Sequence, residues 1–341
     1  MIKESGKRSK PAVIFLVLTL LIFTALVIYI FSYPGSIAGT AVENKIIEIR
    51  PGTSFHSIAR ALKEKKVIDN TGKFYIYARL KGAVNKIKAG EYLFEPLITP
   101  RQILENLVEG KVINHKITIS EGLNLYQIAD ILEKKGFVGK KGFIAEAFDA
   151  SLMNKLGVKG PSFEGYLYPE TYFLVKGMNA EDIISQMVGR FKKIFVKEYE
   201  ERAKELGLTP EEIVTLASII EKETANPDER PLISAVFHNR LKKNIRLQTD
   251  PTVIYGMKEN FDGDLKKKDL KKKTPYNTYR INGLPPGPIA NPGIESIKAA
   301  LFPAKVDYIY FVSMNNGSHA FSKTLKEHNR SVWKYQKGGR R

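Results

Sequence analysis

Cysteine is absent from all 341 residues. That excludes a disulfide framework, a thiol nucleophile and a lipidated cysteine, and the composition tolerates an oxidising exterior. Acidic residues are in deficit: 36 Asp and Glu face 54 Lys and Arg, for a formal net charge of +18 and a pI near 9.6. Such a chain suits anionic surroundings, whether phospholipid headgroups, wall polymers or nucleic acid. No RNP-type aromatic motif and no zinc-ligand spacing accompany the basicity, so no nucleic-acid partner is expected. His319 and His328 are too isolated in sequence to suggest a metal and read as structural. No metal and no cofactor is expected.

Charge is also absent from residues 11–33, which follow Lys3, Lys7, Arg8 and Lys10 with only Glu4 against them. At 1.5 Å per residue the run reaches roughly 34 Å, enough to cross a hydrocarbon core. A basic flank stays in the cytoplasm, so the rest of the chain is expected outside it. Small residues at 38–41 would suit signal cleavage, but the apolar run is long for a signal peptide, and a retained anchor is expected.

Two later segments match each other. Ile47-Glu48-Ile49-Arg50-Pro51-Gly52 leads to Ile58-Ala59 and Leu62; Ile117-Thr118-Ile119-Ser120-Glu121-Gly122 leads to Ile128-Ala129 and Leu132. Each reads as a short strand, a glycine turn and an amphipathic helix. The first copy resembles a LysM module, which binds glycans containing N-acetylglucosamine; a unit that only packs is the plainer reading of both. Residues 74–79 look helical and 90–94 look like a strand.

Residues 163–172, FEGYLYPETY, are rich in aromatics and carry Glu164 and Glu170. They read as a strand and turn with surface tyrosines. Tyr rings stack on pyranose faces while their hydroxyls stay wet, so Tyr166 and Tyr168 could also wall a sugar cleft. A single long charged helix is expected over residues 181–206. Residues 266–273 hold six lysines and one aspartate and read as a solvated face. Residues 284–289, LPPGPI, must form a rigid loop.

The stretch from Thr209 to Tyr255 concentrates the chemistry. Thr209 can cap a helix, Pro210 fits its first position, and Glu211 and Glu212 complement its dipole. Ile213, Leu216, Ala217 and Ile220 fall on one helical face, with Glu221 at the edge of that stripe. Desolvation there would keep its carboxyl protonated near neutrality, as a general acid requires. Glu223 lies near the opposite edge. A solvated helix end with two glutamates is the bland alternative. A second helix over residues 231–242 and a turn at Asp250-Pro251 are expected next. Arg230, Asn239, Arg240, Gln248, Thr249, Asp250 and Tyr255 crowd hydrogen-bonding groups into this region, and Asn277 and Asn291 flank the proline loop. That mixture suits a sugar polymer, which offers hydroxyls and N-acetyl groups but little charge.

LASIIEKET, VFHNRL and LQTDPTVIYG within this stretch, FEGYLYPETY before it, and NTYRINGLPPGPIANPG and YFVSMNNGSHAFSKTLKEHN after it together resemble the MltG, or YceG-like, family of endolytic murein transglycosylases. The resemblance implies an α+β fold: one transmembrane helix at 11–33 after a basic segment at 1–10, a LysM-like α/β subdomain at 34–115, and an α+β catalytic domain at 116–335. That domain would open on a half-repeat at 116–140, and a basic tail would close the chain at 336–341. It implies a lyase that cuts the β-1,4 bond between N-acetylmuramic acid (MurNAc) and N-acetylglucosamine (GlcNAc) inside strands, leaving 1,6-anhydroMurNAc ends and terminating nascent strands. Glu221, the first Glu of EKET, would be the acid/base with Glu223 as second choice. Glu164, Tyr166, Tyr168, Glu223, Arg230, Asn239, Arg240, Gln248, Thr249, Asp250, Tyr255, Asn277 and Asn291 would position substrate. A single-pass inner-membrane protein acting on peptidoglycan beside its synthases follows from the same resemblance. A muramidase on the same bond and a glycan-binding scaffold without activity are the other classes left open.

Overall fold

The computed structural model describes residues 10–257 and 261–338. The basic residues before Lys10 and the last three of the tail lie outside them. The chain divides into two compact units, one running to His115 with residues 175–177, the other holding residues 116–174 and 178 onward. Each has its own apolar core.

The first unit starts with α1 (Lys10–Ser32), the one helix among the described residues long and apolar enough to cross a membrane. Next come β1 (Lys45–Ile49), α2 (Phe55–Glu64), α3 (Thr71–Leu80), β2 (Gly90–Phe94) and α4 (Pro100–Glu109). β1 and β2 are antiparallel, with Ile47 opposite Tyr92. Both helices between them turn an apolar face inward, burying Ile58, Ala59, Leu62, Phe74 and Ala78.

The second unit opens with β3 (Asn114–Thr118), α5 (Leu125–Lys134), α6 (Lys140–Ala147) and α7 (Ala150–Lys155), and then β4 (Thr171–Val175), which pairs with β3. The internal repeat is visible here. Gly52 and Gly122 sit in the turns after β1 and β3 at φ +77° and +74°, which glycine alone adopts freely, and Ile128, Ala129 and Leu132 are buried like their counterparts in α2.

Four helices follow: α8 (Ala180–Ile194), α9 (Lys197–Glu205), α10 (Pro210–Glu223) and α11 (Arg230–Lys242). The single helix expected over 181–206 is broken at Phe195, whose buried ring stacks on Phe191 with centroids 5.5 Å apart. The break turns that ring into the core, a tertiary gain that outweighs helix propensity. α12 (Asp250–Met257) begins where a turn was expected, since Asp-Pro also suits a first helical turn. α13 (Ile294–Leu301) packs on α10, and the hairpin of β5 (Tyr310–Ser313) and β6 (His319–Ser322) leads to α14 (Leu325–Val332).

α10 is the centre of the second unit. Thr209 and Glu212 form a reciprocal capping box at its start. Residues 213–220 are then buried on every side, Thr215 and Ser218 included. No apolar stripe with a wet flank exists, so the stripe edge expected at Glu221 is absent. Both polar residues bond inside the helix, Thr215 Oγ1 to Glu211 O and Ser218 Oγ to Thr215 O.

Candidate functional site

The end of α10 carries Glu221 and Glu223. Residues two apart point to opposite sides of a helix, and here the two sides differ chemically. Glu221 has a side chain only 8% exposed. Its Oε2 accepts from the Gly293 N–H at 3.1 Å, and Arg230 Nη2 lies 3.6 Å from Oε1. Glu121 reaches over the same glycine: a Cβ at Gly293 would meet the Glu121 carboxylate. Burial, and then the nearby Glu221 charge, push the Glu121 carboxyl up, against the pull of Arg230. Lys222 ties the helix end to the repeat turn through Gly122 O at 3.1 Å. Glu121 was not singled out as a site residue; its glycine turn in the repeat is the one local feature that marks it.

Glu223 faces a polar cavity of about 450 Å³ shared with Arg240, Gln248, Asp250, Tyr279 and His319. The Thr249 hydroxyl donates to Glu223 Oε1. Burial pushes the Glu223 carboxyl up to about 7; the Asp250 charge adds to this, while the hydrogen bond from Thr249 is the largest opposing influence. A group balanced there holds a proton at neutrality and can also release one.

The cavity wall is built by buried polar anchors. Arg240 donates from Nε to Ile309 O at 2.7 Å and from Nη1 to Arg246 O and Leu247 O at 3.0 and 2.9 Å, pinning the turn before Thr249 to β5. Burial lowers its guanidinium pKa, with Tyr310 the largest opposing influence. Gln248 sits at φ +54°, a conformation costly for a side-chain-bearing residue and typical of functional loops. Thr249 N donates to Thr278 Oγ1 at 3.0 Å, and the Tyr279 hydroxyl donates to Asp250 Oδ1 at 2.7 Å. That bond, after burial itself, holds the Tyr279 phenol above its usual range.

A third carboxyl, Glu164, is 1% exposed. It accepts from Leu125 N–H and from Asn291 Nδ2, and Tyr255 also bonds it. Burial pushes it up to about 8, against those bonds, and burial and Glu164 together raise the Tyr255 phenol.

The matching family model, described as the YceG-like family, covers residues 47–334. The chain belongs to the YceG-like family. Curated relatives carry the name endolytic murein transglycosylase. One from Bacillus subtilis is 38% identical over 305 residues, covering 85% of this chain and 84% of its own. One from Streptococcus pneumoniae serotype 2 (D39) is 28% identical over 317 residues, covering 84% of this chain but only 57% of its own. A crystal structure of a YceG-like protein from Listeria monocytogenes is 38% identical, with a TM-score of 0.58, covering 84% of this chain and 98% of that one.

Within this YceG-like chain, Glu223, Arg240, Gln248 and Asp250 meet at the cavity, with Thr249 behind them. The other residues expected to position substrate lie elsewhere. Glu164 and Asn291 are buried together, and Asn291 Oδ1 accepts from the backbone of Gly165 and Leu167 at 2.9 Å each. Asn277 is fully buried and donates to three carbonyls of the lysine loop, those of Asp269, Leu270 and Lys272. Asn239 donates to Val306 O and Tyr308 O. Tyr255 packs against Tyr276 at 4.9 Å. Tyr166 and Tyr168 are buried rather than surface tyrosines; Tyr166 lines a different hollow of about 530 Å³, floored by Phe191 and Phe195, that contains neither Glu221 nor Glu223. Arg230 belongs to the Glu221 side. Buried side chains such as Asn277 and Asn291 satisfy backbone groups and hold loops in place.

Proposed function

We propose that this chain cleaves the β-1,4 bond between MurNAc and GlcNAc inside glycan strands, forming 1,6-anhydroMurNAc ends, with Glu223 as its acid/base. One observation carries the assignment: of the two carboxyls ending α10, Glu223 is the one that lines the polar cavity, and burial there raises it to about 7. The Glu223 proton passes to the GlcNAc O4 as the C1–O4 bond breaks. The carboxylate then takes the proton of the muramyl O6 as that oxygen attacks C1. No water is consumed. The names of the relatives support an endolytic cut in murein.

A second reading keeps the acid at Glu221, the first choice from the family motif. It is favoured by Glu121, whose carboxyl beside Gly293 gives that side a pair. A muramidase would need a second carboxyl beside Glu223, and Asp250 lines the same cavity.

Around this chemistry, α1 anchors the protein in the cytoplasmic membrane with its body outside, supported by its length and apolarity. The β1–α2–α3–β2 unit is a LysM-like glycan module, supported by its order and antiparallel pairing. A body held beside nascent strands would meet their synthases. Mass spectrometry of glycan digested by the parent protein and by Glu223→Gln and Glu221→Gln tests the reading. Anhydro ends that vanish only with Glu223→Gln support it. Reducing ends indicate a muramidase, and loss only with Glu221→Gln moves the acid to the other side of the helix.

A further inference from the structure

His319 reads in the sequence as an isolated structural histidine, yet the fold places it in the wall of the Glu223 cavity with its side chain 14% exposed. It opens β6, and its place there is fixed by one residue. Glu229 accepts from the His319 backbone N–H at 2.7 Å through Oε1 and lies 2.7 Å from His319 Nδ1 through Oε2. A carboxylate only accepts, so Nδ1 carries the hydrogen, and a neutral ring is left with Nε2 as an acceptor. Among the described residues Nε2 has no hydrogen-bond partner. The Phe311 ring meets the imidazole edge-on at 5.4 Å and limits its rotation.

The same Glu229 also reaches the catalytic helix. Thr224, the residue after Glu223 and the cap of α10, donates its hydroxyl to Glu229 Oε2 at 3.4 Å. Glu229 therefore connects the end of the helix that carries Glu223 to the imidazole facing the cavity. It is itself 7% exposed, and the Thr224 hydroxyl together with the backbone and ring N–H groups of His319 converge on its carboxylate. A surface histidine would need none of this.

We propose that His319 is a positioning residue for the glycan: Glu229 fixes its tautomer, and Nε2 accepts a hydrogen bond from a sugar hydroxyl in the cavity. This rests on the reading of that cavity as the glycan site. A neutral imidazole acceptor suits a substrate rich in hydroxyls, and a fixed ring holds one of them at little entropic cost.

Two substitutions separate this from a structural role, because Gln places its amide near the Nε2 position and Asn near Nδ1. With peptide-free strands of alternating GlcNAc and MurNAc and the full chain in detergent, His319→Gln should keep kcat/KM within about threefold of the parent. His319→Asn, which keeps a group beside Glu229, should lose about tenfold, mainly through KM; positioning effects of this size are ordinary. The opposite order, with Asn the more active and melting temperature tracking activity, would show that His319 only holds the hairpin. A second measurement needs neither substitution nor turnover. In Glu223→Gln protein carrying ¹⁵N-histidine, adding the same strands should move the Nε2 resonance of His319, and an unmoved resonance in strand-bound protein overturns the proposal. If Glu223→Gln alone still cleaves, the acid assignment fails, and the Gln against Asn comparison still decides His319.

Discussion

Glu221 and Glu223 are separated by one lysine and face different chemistry. Glu221 meets Arg230 and the Gly293 N–H in a nearly closed contact. Glu223 meets the Thr249 hydroxyl at the edge of a polar cavity. A helix turns about 100° per residue, so two positions give about 200° and no shared environment. The different surroundings of the two carboxyls follow from that rotation.

Replacing Glu223 by Gln retains shape and the ability to accept from Thr249, but removes the transferable proton. Activity on glycan strands should fall on the order of 10² to 10⁴, the usual contribution of a general acid/base, with little change in melting temperature. Glu221→Gln should cost less activity and more stability, because it leaves Arg230 without its counter-charge. Comparing anhydromuropeptide yield with thermal melting for both variants checks this pair.

The acid must be protonated to donate, so kcat/KM should decline as pH rises through about 7. The hydrogen bond from Thr249 stabilises the carboxylate and opposes protonation. Thr249→Val keeps the branched shape and removes the donor, so the basic limb should move to higher pH. Loss of one buried hydrogen bond should cost about 1 kcal/mol of stability. A pH–rate profile in which the limb stayed fixed or moved down would reject Glu223 as its source.

Glu164 is a buried carboxyl whose titration is tied to folding. Its carboxyl rises from the usual 4.5 to about 8 in the fold. A group raised on folding contributes its stability fully below the unfolded value and loses it as pH climbs through the folded one. The parent should therefore lose stability relative to Glu164→Gln between about pH 5 and pH 8. Melting curves of the two proteins across that range should converge or cross; parallel curves would show that Glu164 does not take up a proton on folding.

The Asn291 side chain makes four hydrogen bonds in a site with no exposure: two backbone N–H groups donate to its Oδ1, and its Nδ2 donates to Leu123 O and Glu164. Asn291→Ala leaves two buried donors unsatisfied at about 1–3 kcal/mol each, so the loss should be on the order of 3–5 kcal/mol. Denaturant unfolding measures it. A loss of activity without destabilisation would instead place Asn291 against substrate.

Deleting residues 1–33 should leave cleavage of soluble strands intact, because the second unit holds the cavity and its own core. Protease added to spheroplasts should digest the body of the full chain. A protected body would reverse the topology, and a folded but inactive truncated protein would make the span part of the active unit.

The sequence by itself determined much of the local order. Thr209, Pro210 and Glu212 specify the start of α10 within their own few residues, and the repeat at Gly52 and Gly122 is a matter of spacing. Residues 11–33 carry their apolarity openly, and the motifs from Phe163 to Asn329 point to the family that the family model then matched. Only the tertiary structure decided which carboxyl faces the cavity. The stripe of Ile213, Leu216, Ala217 and Ile220 suggested one buried face, but α11 and α13 cover the helix elsewhere too, and an all-round buried helix has no stripe edge. Glu164 and Asn291 look like sugar contacts as residue types; their partners lie up to 168 positions away, which no local pattern encodes. His319 is the reverse case. Glu229, 90 positions earlier, gives it a fixed tautomer and a place in the cavity wall, because burying a carboxylate requires donors and the fold supplied them from β6.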